Sequence, residues 1–136
     1  MKHLILTSAI VVALAAPIGA ETLTIGTATA QTGALAYADV PTMQGMKLAI
    51  EEINATGGID GATKIVLLEK DVRSDPAQTS IAAQELADAG VSVIVLPGDS
   101  DPALAAIGVV SSAEIPAIST VCLLYTSDAA DDLFRV

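Results

Sequence analysis

The chain has 136 residues, 16 acidic against 6 basic, for a formal net charge of −10. A surface this acidic repels nucleic acid and anionic lipid headgroups. With a single His (His3) and a single Cys (Cys122), the sequence offers no disulfide framework, no His/Cys metal site and no Ser-His or Cys-His catalytic pair.

Met1 to Ala20 places Lys2 ahead of an apolar run from Leu4 to Ala16 and ends on Gly19 and Ala20. That is the layout of a secretory signal peptide, and the run is shorter than the roughly 20 residues a spanning helix needs. Residues 1–20 are therefore read as a signal, removed on export, with no direct membrane insertion of the mature chain. From Glu21 to Val121 there remain four basic residues and thirteen acidic ones.

The mature part begins with "ETLTIGTATA", where Leu23 and Ile25 alternate with Thr22 and Thr24 as in a strand. "QTGALAYADV" reads as a loop. "PTMQGMKLAIEEINATGG" reads as a helix with Met43, Met46, Ile50 and Ile53 on one stripe, stopped by Gly57 and Gly58. "TKIVLLEKD" carries an unbroken apolar run from Ile65 to Leu68, which suits a strand buried on both faces of a parallel sheet. "DPAQTSIAAQELADAG" is a second helix, with Asp75 at its N-cap position, Pro76 in the first turn and Gly90 at its end. "VSVIVL" is a third strand, "DPALAAIGVVSSAE" a third helix, and "IPAISTV" begins a fourth strand.

The order βαβαβαβ with short connections predicts an α/β fold with right-handed crossovers and a doubly wound parallel sheet. Ligands in such sheets sit at the C-terminal strand ends, beside helix N-termini. "GTATAQTG" lacks the G-x-G-x-x-G spacing, and no Gly-Lys-Ser/Thr follows it, so no nucleotide or other cofactor is implied. Asp71 and Asp75 fall near one strand end; the plain reading makes Asp75 a helix cap and Asp71 a solvated or hinge-facing acid. In "LPGDSDPAL", Ser100 offers a hydroxyl just before helical N–H groups, a combination suited to a carboxylate. Ser100 or Asp101 could equally serve only as an N-cap. Tyr37, the one aromatic residue between the signal and Val121, could cover an apolar ligand or pack on the surface.

The segments "TIGTATAQTGALA", "GMKLAIEEINATGGIDG", "KIVLLEKDVRSDP" and "VIVLPGDSDPALAA" resemble the N-terminal lobe of periplasmic branched-chain amino-acid-binding proteins, the type I solute receptors of ATP-driven (ABC) importers. The resemblance covers Thr22 to Val121. It implies a partial N-terminal lobe, residues 21–121, of a two-lobe type I periplasmic-binding-protein fold that closes on its ligand. It also implies that Ser100 bonds a ligand α-carboxylate, with Asp101 beside it and Tyr37 near the first loop. The next strand end would supply a carbonyl and a Thr hydroxyl for the ligand's head group, and these would follow Val121. The second lobe would supply an acidic partner for the ammonium group.

"CLLYTSDAADD", Cys122 to Asp132, resembles the translation of a transposon-type sequencing adapter, which makes residues 122–136 a non-native tail. The expected protein is a non-enzymatic, monomeric periplasmic receptor, with no metal and no cofactor. It would capture a small amino acid or related carboxylate and deliver it to the membrane permease of an importer. An extracytoplasmic sensor domain of the same fold is the alternative, and would need a spanning helix and an output domain downstream. A secreted α/β enzyme is a third class, disfavoured because the chain lacks a base.

Overall fold

A computed structural model describes residues 21–120 of the protein. The signal read at residues 1–20 and the tail read at residues 122–136 lie outside the described residues. Seven elements alternate along the chain: β1 (Thr22–Thr29), α1 (Ala36–Ala55), β2 (Lys64–Asp71), α2 (Pro76–Asp88), β3 (Val93–Leu96), α3 (Ser100–Ser112) and β4 (Ala117–Ser119). The four strands form one sheet in the order β2-β1-β3-β4, and every pairing is parallel. The first connection steps to one side of β1 and the next two step to the other. Right-handed crossovers then place α1 on one face and α2 with α3 on the opposite face.

Strand alternation divides the side chains between those faces. Ala28 of β1, Ala30 just after it, and Ile94 and Leu96 of β3 join Ala82, Ala83 and Leu86 of α2 and Ala103, Ala106 and Val110 of α3 in the main core. Small residues let the helices come close. A Cβ at Gly26 would lie 3.0 Å from one Leu86 methyl and 3.1 Å from a Val91 methyl, so glycine in the centre of β1 is what admits α2 to the sheet. The two helices also meet directly, where the Ser80 hydroxyl donates to the Ala105 carbonyl at 2.6 Å.

The α1 face is more thinly covered. Met43 is buried, Met46 and Ile50 are half-buried and Ile53 is 38% exposed, so the apolar stripe read from the sequence is only partly covered. What fixes α1 to the sheet is polar. The Asn54 amide donates to the Ile65 carbonyl at 2.8 Å, and its oxygen accepts from the Ile65 N–H at 2.9 Å. Ile65 lies on edge strand β2, whose outward backbone groups need partners or cover. No helix among the described residues is long and apolar enough to cross a membrane.

Two boundaries differ from the sequence reading. Helix α1 starts at Ala36, with Pro41 inside it, and so includes residues read as loop. Proline removes an N–H and crowds the carbonyl four residues back; here that carbonyl belongs to Tyr37, which is 79% exposed. The added turn is held by Asp39, whose carboxylate is anchored on two other segments. Helix α3 has Asp99 as its N-cap, and its side chain makes no capping bond, so neither Ser100 nor Asp101 caps the helix. Asp75 does cap α2, accepting from the Gln78 N–H at 2.8 Å.

Candidate functional site

The C-terminal edge of the sheet is built around carboxylates that organise backbone. Asp71, the last residue of β2, reaches across to the β1–α1 loop. Its Oδ1 accepts from the Gln31 N–H at 3.0 Å, the Thr32 N–H at 3.1 Å and the Arg73 N–H at 2.9 Å. Its Oδ2 accepts from the Thr32 hydroxyl at 2.6 Å. Desolvation, the largest single effect, pushes this carboxyl up; the Thr32 hydroxyl and the amides of Arg73, Thr32 and Gln31 together outweigh it and hold it below the ordinary carboxylate value. Asp71 is therefore a loop-holding acceptor, not merely the solvated acid read from the sequence.

The turn after β2 supports the same loop. Arg73 and Ser74 have φ of 52° and 61°, a left-handed conformation that costs a non-glycine residue energy and needs local bonding to persist. Ser74 supplies it: its hydroxyl accepts from the Leu35 N–H at 2.9 Å and donates to the Thr32 carbonyl at 3.2 Å. Gly33, at φ 90°, fits against this turn. A Cβ there would lie 2.6 Å from the Arg73 carbonyl oxygen.

Asp39 joins the β1 end to the β3 end. It is 2% exposed; Oδ2 accepts from the Ala30 N–H at 2.7 Å and Oδ1 from the Gly98 N–H at 2.8 Å. On the other side of β3, the Ser119 hydroxyl of β4 donates to the Pro97 carbonyl at 3.4 Å. The ends of β1, β3 and β4 are thus cross-linked by side chains into one edge.

Ser100 is the first residue of α3 and is half-buried, while Asp101 is exposed in the first turn. Pro102 brings no N–H, so the amides of Ser100 and Asp101 are the donors this turn presents. Tyr37 stands in the first turn of α1, two residues before Asp39, with its ring in solvent. Asp39 thereby puts the start of Tyr37's helix and the loop leading to Ser100 on the same sheet edge. A separate cleft of about 200 Å³ beside α1 is lined by Gln31, Val40, Met43, Gln44, Lys47 and Glu69. None of the three residues singled out in the sequence lines it. Sequence reasoning missed Asp39 as a site-building residue, since its partner Gly98 is 59 positions away. A polar residue two places before an in-helix proline was the one local signal.

The described residues form a parallel α/β lobe whose loops converge at one sheet edge beside the open N-terminus of α3. The family model described as "Periplasmic binding protein" matches residues 22–136, and the chain belongs to that family, whose members are substrate-binding proteins. The structure resembles the branched-chain amino acid transporter substrate-binding protein LivJ from Streptococcus pneumoniae, solved with isoleucine: 33% identity over 82% of this chain and 31% of that one, TM-score 0.73. It also resembles a solute-binding protein of an ABC transporter from Rhodopseudomonas palustris BisB5, solved with 3,4-dihydroxybenzoic acid: 28% identity, 74% and 27% coverage, TM-score 0.64. A possible leucine/isoleucine/valine-binding protein from Rhodopirellula baltica shares the fold at 24% identity, with 75% and 28% coverage and TM-score 0.68. No curated protein sequence matches the chain. The chain spans about a third of the length of these solved relatives.

Proposed function

We propose that residues 21–121 are the first lobe of a two-lobe periplasmic receptor that captures a small carboxylate, in first place a branched-chain amino acid, and delivers it to an importer's permease. The observation that carries this reading is the open N-terminus of α3. Its cap residue makes no side-chain bond, in contrast to that of α2, and Ser100 adds a hydroxyl to the free amides. A helix N-terminus with unsatisfied N–H groups attracts a carboxylate through both hydrogen bonding and the helix dipole. Asp99 and Asp101 flank the same turn, and their charge favours a zwitterion over a simple anion: the carboxylate takes the amides while the ammonium group lies toward the acids. Tyr37 would cover the ligand side chain once a second lobe closes over this edge. Export through residues 1–20 and delivery to a permease accord with the family, and two of the solved relatives, LivJ and the BisB5 protein, carry ligands that each have a carboxylate.

Calorimetry on the full-length protein tests the reading, with isoleucine, leucine, valine and 3,4-dihydroxybenzoate as probes. The expected result is saturable binding of at least one amino acid, weakened by about 1–3 kcal/mol in Ser100→Ala, the usual cost of an unmet buried hydrogen bond. Unchanged affinity in that variant removes Ser100 from the site. Binding of the aromatic acid alone would move the ligand class from amino acids to aromatic carboxylates.

A further inference from the structure

Asp39 is a buried carboxylate with no cation beside it: the ion pairs among the described residues are Lys47–Glu69 and Lys70–Glu85. Its charge is held instead by the Ala30 and Gly98 amides and by its place in the first turn of α1, where the helix dipole favours an acid. Burying a carboxylate is costly unless every oxygen is well bonded, and here each oxygen is committed to a different loop. Ala30 leads directly into Gln31 and Thr32; Gly98 leads into Asp99 and Ser100.

The main apolar core lies on the other face of the sheet and does not include Asp39. Ala30, Leu96 and Ala103 belong to that core, with Leu35 packed against it, so apolar contacts seat the two loops on that face, while on the α1 face the Asp39 carboxylate bonds to both of them. We infer that Asp39 is a positioning residue for ligand binding: its carboxylate fixes the β1–α1 loop and the β3–α3 loop in one register, so that Ser100 and the α3 amides are pre-organised toward ligand. This inference rests on the binding function proposed above. Pre-organisation raises affinity because the ordering cost of the loops is met before ligand arrives. Asp39 itself does not touch ligand, since at 2% exposure its carboxylate is closed off beneath the two loops.

The test uses full-length protein, comparing the unsubstituted chain with Asp39→Asn and with Met43→Ala, a buried change in the same helix that touches neither amide. Asp39→Asn keeps the volume but turns an N–H₂ group toward one of the two amides. Hydrogen exchange at Ala30 and Gly98 should speed up together, and isoleucine affinity should fall by about tenfold or more, the size expected for losing one charge-assisted bond. Met43→Ala should lower Tm yet leave affinity within about twofold, because a cavity under α1 does not release the loops. Faster exchange with unchanged affinity overturns the inference, as does equal loss of affinity in Met43→Ala. If Asp39→Asn does not fold, the unsubstituted protein decides: protection at Ala30 and Gly98 should agree within about tenfold, as amides opening in one cooperative unit do, and a wider gap overturns the coupling. If the unsubstituted protein binds no amino acid, the function reading fails, and exchange alone still decides whether Asp39 couples the loops.

Discussion

Asp71 shows how one residue can organise a loop by accepting rather than by packing. Four bonds converge on its carboxylate, and each is made to the ionised form. The carboxyl is held below its ordinary value near 3.8, so its contribution to stability is present above that pH and is lost as pH falls through the lowered folded value. Asp71→Asn should therefore destabilise the protein modestly at neutral pH, by under about 1 kcal/mol because solvent still screens this half-buried group at the sheet edge. The deficit should shrink as pH drops below 3.8. Urea midpoints at neutral and strongly acid pH check this; an equal deficit at both ends would show that Asp71 acts through shape and not charge. Asp71 was visible in the sequence as a strand-end acid. Its role was not, because its main partners, Gln31 and Thr32, lie 40 and 39 positions away.

At the scale of elements, the segment between α1 and β2 is a test of backbone demands. Gly57, Gly58 and Gly61 have φ of 112°, 93° and 72°, all in the region that glycine enters without penalty. Their surroundings differ. A Cβ on Gly58 would collide with the Thr63 carbonyl, whereas a Cβ on Gly61 would meet open space. Gly61→Ala should cost about 1–2 kcal/mol, the left-handed penalty alone. Gly58→Ala should cost clearly more, because the Ile59–Thr63 bridge that closes the turn must move as well. Thermal unfolding of the two variants side by side measures the difference, and equal Tm losses would refute the steric account. The helix stop at Gly57-Gly58 was legible from composition. The start of α1 was not: Pro41 is a local signal for a helix beginning, and it was overridden by the tertiary bonds of Asp39 one turn earlier.

At the scale of the whole molecule, the site proposed here would form one side of a two-lobe cleft. Ser100, Asp101 and Tyr37 lie on or beside a single open sheet edge, and the chain spans about a third of its solved relatives. Ligand held by a few hydrogen bonds on an open surface does not recover the rotational and translational freedom lost on binding. The 136-residue chain alone should therefore show no saturable heat with isoleucine, while the full-length receptor does. Tight binding by the short chain would place the complete site within it and contradict the two-lobe reading.

The alternation of strands and helices, the parallel sheet and the cap at Asp75 were determined by sequence alone, because each depends on periodicity and turn chemistry within a few neighbouring residues. So was the sheet edge at which the β–α loops gather, since that follows from strand direction. Only the tertiary structure decided that α1 begins at Ala36, that α3 is left without a side-chain cap, and that Asp39 and Asp71 are backbone acceptors shared between loops. A buried carboxylate has no periodicity to reveal it. Which amides it accepts depends on which strand ends lie side by side, and that adjacency exists only once β1 has settled between β2 and β3.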